Sequence, residues 1–244
     1  MAAPEGEDAP VPAARRLAGW AVHLLTASGA VIAFLALLAV VEGDGREALL
    51  WLCLALVVDG VDGPLARRVG IREAVPDFDG AALDLIVDFL TYVFVPCLFL
   101  WRFGMLPGAL ALPLCALVLL SSLHLFAKTG MKTEDNHFEG FPAVWNGVVL
   151  VLFLLGTGPA VNAALVAALV ALTFAPVKAV HPFRVVRGRR LTVAATLAWG
   201  GSAAALLWLH PGRPGWLLAL FLAAGGYLVA VSLWRTVAGR QQGR

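Results

Sequence analysis

The sequence predicts an all-α fold, a polytopic integral membrane bundle of about eight transmembrane helices with both termini cytoplasmic. Three observations predict it. Of its 244 residues 60% are hydrophobic and only 14% charged, with mean hydropathy +0.85, far outside the range of soluble domains. The apolar residues gather into runs near the ~20 residues that a spanning helix needs. The basic residues collect on alternate connections, which gives those runs an orientation.

The first run, at about 17–41, follows Arg15 and Arg16, and a connection holding Arg46 leads into the second, 45–66. That one ends at Arg67, Arg68 and Arg72 before the third, 80–101, which Arg102 separates from the fourth, 107–127. Lys128 and Lys132 precede the fifth, 142–157. The tight Gly156-Thr157-Gly158-Pro159 break divides it from the sixth, 159–178, where one long kinked helix is the alternative. Lys178, Arg184, Arg187, Arg189 and Arg190 lead to the seventh, 190–209, and Arg213 to the eighth, 215–235. Arg235, Arg240 and Arg244 lie at the far end. With cytoplasmic termini, only Arg46, Arg102 and Arg213 of the 18 Lys and Arg fall outside, so the positive-inside rule decides strongly. Residues 1–16 read as a disordered cytoplasmic tail, Pro/Ala-rich and acidic with no cleavable-signal pattern, 17–235 as the membrane-embedded domain, and 236–244 as a cytoplasmic tail.

The net charge of +2 gives no argument for nucleic acid as a partner. Cys53, Cys97 and Cys115 lie inside apolar runs without metal-ligand spacing and read as small buried hydrophobes. All 16 Asp and Glu fall at or before Glu139, and four of them lie in the second and third runs. Asp59 and Asp62 are i, i+3, and Asp84 and Asp88 are i, i+4, so each pair shares one helix face. The second run travels toward the cytoplasm and the third returns from it. The pairs therefore face each other at similar depth, a short way below the cytoplasmic surface.

A charge at the membrane centre costs at least ~2.5–3.5 kcal/mol, and four like charges repel unless something neutralises them. Hard divalent cations with oxygen ligands, Mg²⁺ or Mn²⁺, answer that need, and two ions can share one carboxylate cluster. Gly63 and Gly80 flank the acids and allow close approach, Ala66 keeps the next turn clear, and Arg67 is placed to meet an anionic group at the metal site. The competing account, helix-end acids paired with Arg67, Arg68 and Arg72, does not explain this spacing.

Asp62-Gly63-x-x-Ala66-Arg67, followed by Gly80-x-x-x-Asp84-x-x-x-Asp88, resembles the signature of the CDP-alcohol phosphatidyltransferases. Those membrane enzymes join a CDP-activated lipid to an alcohol and release CMP. The twelve residues from Arg68 to Asp79 exceed the spacer of most of that superfamily. The longer spacer resembles the bacterial phosphatidylcholine synthase branch, whose acceptor is choline. Further stretches are similar: His23 to Gly29, Gly130 to Thr133, Phe138 to Asn146 and His181 to Val185.

The resemblance implies that Asp59, Asp62 and Asp84 hold two Mn²⁺ or Mg²⁺ ions, with Asp88 in the same cluster as general base. It implies CDP-diacylglycerol and choline as substrates, a homodimer, and a bacterial inner membrane location with the active site facing the cytoplasm. Choline is a quaternary ammonium, which aromatic faces bind, so Tyr92, Phe138, Phe141 and Trp145 are candidate cage residues and Glu139 a candidate counter-charge. Packing or interfacial roles remain the alternative for each. Thr26 is a candidate for the nucleotide pocket, and Arg184 and Arg187 for the donor phosphates. Two other readings stand beside this one. The same chemistry with serine, glycerol 3-phosphate or inositol phosphate as acceptor demands extra basic residues. A transporter with intramembrane acids demands acids at the midplane, whereas these crowd one end.

Overall fold

The computed structural model describes residues 11–128, 138–175, 178–179 and 189–242. Helix α1 (Ala13–Glu42) ends at Gly43, whose φ of 88° is the left-handed conformation that closes a helix. Asp44 accepts a 2.8 Å bond from the Glu47 N–H and starts α2 (Gly45–Val69), so the two helices form an antiparallel pair, the most extensive contact in the fold. In the spacer lies a short helix, α3 (Ile71–Ala74). Arg15 fastens it to α1, donating to the Val69 carbonyl at 3.1 Å and to Glu73 at 3.0 Å.

Asp79 accepts from the N–H groups of Ala81 and Ala82 and starts α4 (Gly80–Asp88). The helix then widens into a π-helical turn, Phe89–Phe94, before α5 (Val95–Arg102) completes the span. Pro96 gives the cause. It has no N–H to donate to the Tyr92 carbonyl, and its ring clashes with that carbonyl in a regular α-helix. The wide turn relieves the clash, and the Thr91 hydroxyl donates back to the Val87 carbonyl at 3.0 Å.

After α6 (Gly108–Ala127) come two short helices, α7 (Trp145–Leu155) and α8 (Pro159–Thr173). They occupy the positions of the expected fifth and sixth runs. Among the described residues six helices are long and apolar enough to cross a membrane, whereas α7 and α8 are shorter apolar helices of 11 and 15 residues. At 1.5 Å per residue these reach ~16 and ~22 Å, short of the ~30 Å hydrocarbon core. Phe141 to Val144 stay non-helical, in keeping with Pro142, which disfavours α conformation at Phe141. The break at Gly156, with φ 64°, makes a hairpin rather than a kink. Phe141 N–H donates to the Leu172 carbonyl at 3.3 Å, and β1 (Phe138–Glu139) pairs antiparallel with β2 (Lys178–Ala179), so the start of one arm lies beside the end of the other. At the turn, fully buried Asn162 donates to the Met105 carbonyl at 2.9 Å and accepts from Thr157, tying the hairpin to the α5–α6 connection. Helices α9 (Arg189–Leu209) and α10 (Gly215–Gln242) pack on each other.

The core joins Val40, Leu49, Val93, Phe99, Val118, Trp145 and Phe221 from most of these helices. Apolar side chains also point outward, as lipid-facing surfaces require: Val31, Leu112, Leu120, Leu197 and Trp208 are all well exposed. Small residues let α1 approach α4. A Cβ at Gly29 would sit 2.5 Å from Val87 Cγ1. We expect Gly29→Ala to cost about 1–3 kcal/mol by overpacking and Val87→Ala to restore most of it in the double variant. Thermal melts in detergent read both, and independent, additive losses would reject this contact as the cause.

Candidate active site

Two helical turns carry the four acids of the site. The chain from Asp59 to Asp62 advances one turn along α2, and Asp84 to Asp88 one turn along α4, so each pair presents its carboxylates to the facing helix. Oxygens of Asp59, Asp84 and Asp88 lie within 4.8 Å of one another. Asp62 completes the group from a more buried position, at 6% exposure, and its Oδ2 accepts a 2.7 Å bond from the Thr26 hydroxyl of α1. All four acids and Thr26 line one pocket.

The donor set is all oxygen and anionic, which suits Mg²⁺ or Mn²⁺ rather than softer metals. Two oxygens on one such ion sit about 4 Å apart at most. The 4.8 Å spread therefore closes around an ion with movements of under about one ångström, and the residues fit a divalent metal.

The remaining expected residues divide. Gly63 leaves room for Arg67, whose guanidinium nitrogen would lie 3.4 Å from a Cβ placed there. Arg67 is exposed, one turn beyond the acids, while the Ala66 carbonyl accepts the Gly70 N–H that closes α2. Gly80 has a packing reason to be glycine: its Cβ would meet the His23 ring at 2.6 Å. Tyr92 reaches the site with its hydroxyl, which donates to Asp59 Oδ2 at 2.6 Å, while its ring packs against the core.

Trp145 packs in the core. It is fully buried, its indole N–H donates to Ser122 at 3.0 Å, and Phe141 meets it edge-on at 5.0 Å. An indole so enclosed offers no face to a choline cage, because the α5–α6–α7 core claims it. Arg184 and Arg187 lie outside the described residues, as do the side chains of Phe138 and Glu139.

Gly29, which entered the sequence reading only as the end of the His23 to Gly29 stretch, also lines the pocket, as do Ala55, Val58 and Thr91, which had no place in it. Helical spacing carries the signal for three of them: Gly29 is i+3 from Thr26, Ala55 is i−4 from Asp59, and Thr91 is i+3 from Asp88. His23, one turn from Thr26, is 5% exposed and its Nε2 has no partner.

The family model for CDP-alcohol phosphatidyltransferase matches residues 21–180, which include every residue of this pocket. A phosphatidylcholine synthase of Pseudomonas aeruginosa is 46% identical over 217 residues, 89% of this chain and 91% of that protein. One of Rhizobium johnstonii is 38% identical over 212 residues, 87% of this chain and 88% of the relative. One of Legionella pneumophila is 35% identical over 226 residues, 90% of this chain and 89% of the relative. The chain belongs to the CDP-alcohol phosphatidyltransferase family.

Proposed function

We propose that this chain transfers the phosphatidyl group of CDP-diacylglycerol to choline and releases CMP, the activity that its relatives' names carry. The observation that carries the chemistry is the cluster of Asp59, Asp84 and Asp88 oxygens within 4.8 Å, facing a pocket shared with Asp62 and Thr26. Asp59, Asp62 and Asp84 would hold two Mn²⁺ or Mg²⁺ ions. When bound, these ions supply positive charge for the pyrophosphate as CMP leaves.

Asp88 lies one turn further along its helix than Asp84 and takes the proton from the choline hydroxyl, a poor nucleophile without a base. The choline oxygen gains the bond to the phosphatidyl phosphorus that the CMP oxygen loses. Arg67, exposed one turn beyond Asp62 and Gly63, approaches the donor phosphates from the cytoplasmic side. By resemblance Arg184 and Arg187 assist it, Thr26 adds a contact to the nucleotide, and Gly63 and Ala66 keep the approach open, while Gly80 makes room for the His23 ring. Arg67, Arg68 and Arg72 follow the acids along the chain, which under the positive-inside rule turns the site toward the cytoplasm of a bacterial inner membrane. The same resemblance supports a homodimer.

The acceptor is tested with purified protein, CDP-diacylglycerol and Mn²⁺, comparing choline, dimethylethanolamine, ethanolamine, serine and glycerol 3-phosphate. We expect choline to react best and ethanolamine poorly, because each lost methyl removes apolar contact and strengthens the hydration that the cation must shed. Equal use of ethanolamine overturns recognition of the quaternary ammonium. A preference for serine or glycerol 3-phosphate overturns choline as acceptor and leaves the CDP-alcohol chemistry standing.

A further inference from the structure

We propose that Tyr92 is a positioning residue of the metal site: its phenol holds one oxygen of Asp59 so that the other faces Asp84 and Asp88. The inference rests on the metal reading above and not on the identity of the acceptor. Three observations carry it. The Tyr92 hydroxyl donates to Asp59 Oδ2 at 2.6 Å, a short charge-assisted bond between helices. The Tyr92 ring packs against the hydrophobic core, so the phenol is held by its surroundings and not free to swing. The residue sits in the π-helical turn that begins directly after Asp88. That turn arises from Pro96, and it sets the direction in which Tyr92 leaves the helix.

The bond has a chemical consequence. A metal-bound carboxylate whose second oxygen is engaged binds through one atom. One-atom binding suits the tight octahedral shell of Mg²⁺ or Mn²⁺, whereas Ca²⁺ readily accepts two oxygens from one carboxylate. Partners behind metal ligands of this kind typically change metal affinity by ~10–100-fold. Tyr92, a candidate to face choline from the sequence, thus has its hydroxyl committed to Asp59.

The test titrates Mn²⁺ and Ca²⁺ against the thermal stability of the full chain in nanodiscs, with Tyr92→Phe compared with the unchanged protein. Neither donor nor acceptor is present, so an acceptor other than choline leaves this result untouched. We expect Tyr92→Phe to melt at the same temperature without metal and to need ~10-fold more Mn²⁺ for half of the stabilisation. The preference for Mn²⁺ over Ca²⁺ should narrow. In an Asp59→Asn background, Tyr92→Phe should change the Mn²⁺ midpoint no further.

An unchanged Mn²⁺ midpoint overturns the proposal. So does an additive shift in the double variant, which would place the phenol on another group. Tyr92→Leu separates the ring from the hydroxyl: if metal-free Tyr92→Phe melts as low as Tyr92→Leu, the phenol is a packing group and the proposal fails. A raised KM for choline with an unchanged metal midpoint would instead put Tyr92 on the acceptor, again against the proposal.

Discussion

Asp62→Asn or Asp84→Asn is expected to reduce turnover by about 10³-fold or more while the protein still inserts, purifies and melts normally without metal. Each substitution keeps the size of the side chain and removes one negative charge from a shared cluster. A metal's charge stabilisation in such reactions is worth several kcal/mol, and each 1.36 kcal/mol is tenfold in rate, so losing half or more of it reaches that scale. Folding should not suffer, because asparagine at 62 still accepts the Thr26 hydroxyl bond that the aspartate accepts at 2.7 Å. At 84 the change removes repulsion from carboxylates whose oxygens lie within 4.8 Å, so metal-free stability should hold or rise. Stabilisation by Mn²⁺ should disappear in the same variants. Near-normal turnover at saturating Mn²⁺ or Mg²⁺ would sink the metal assignment, and a loss of metal-free stability would reduce these acids to a structural role.

The carboxylates were legible in the sequence because a helix converts spacing into geometry. Asp59–Asp62 and Asp84–Asp88 needed only the 3.6-residue period and two antiparallel spans to meet, and they do meet. The long helices were legible for the same reason: α1, α2, the Gly80–Arg102 span and α6 are apolar runs bounded by Gly, Pro or Arg, and their ends lie within a few residues of expectation.

What was not legible depended on backbone conformation and distant contacts that hydropathy does not encode. Counting apolar residues from 142 made a span, but the chain stays non-helical through Val144, so α7 begins only at Trp145. The Trp145 ring looked interfacial from its place near a basic connection. Ser122, 23 positions away in sequence, supplies the bond that draws it into the core. Tyr92 was legible only as an aromatic candidate, because no spacing along its own helix shows that its hydroxyl meets Asp59 on α2. The spacer's short helix, Ile71–Ala74, and its Arg15 tether were also unforeseen, since a four-residue helix held by one distant arginine leaves no periodic trace.

Asp88→Asn should separate base from ligand. Asp88 closes α4 at the edge of the π-helical turn, one turn beyond Asp84 on the same helix, and it lines the pocket from that position. On the proposed reading a base there would be reached by the acceptor hydroxyl, while Asp59, Asp62 and Asp84 would carry the metals. Loss of a general base typically costs ~10²–10⁴ in rate, and asparagine takes no proton, so turnover with choline should fall by at least ~10²-fold. The Mn²⁺ midpoint of thermal stabilisation should move far less than in Asp84→Asn, and CDP-diacylglycerol binding should persist. The defect should also depend on the acceptor's acidity. A choline analogue fluorinated beside the hydroxyl releases its proton more easily and needs the base less, so it should recover part of the lost rate in Asp88→Asn and gain little in the unchanged enzyme. If the analogue shows the same deficit as choline, proton removal is not the role of Asp88. If the Mn²⁺ midpoint shifts as far as in Asp84→Asn, Asp88 is mainly a metal ligand, and the base must be sought elsewhere along the pocket.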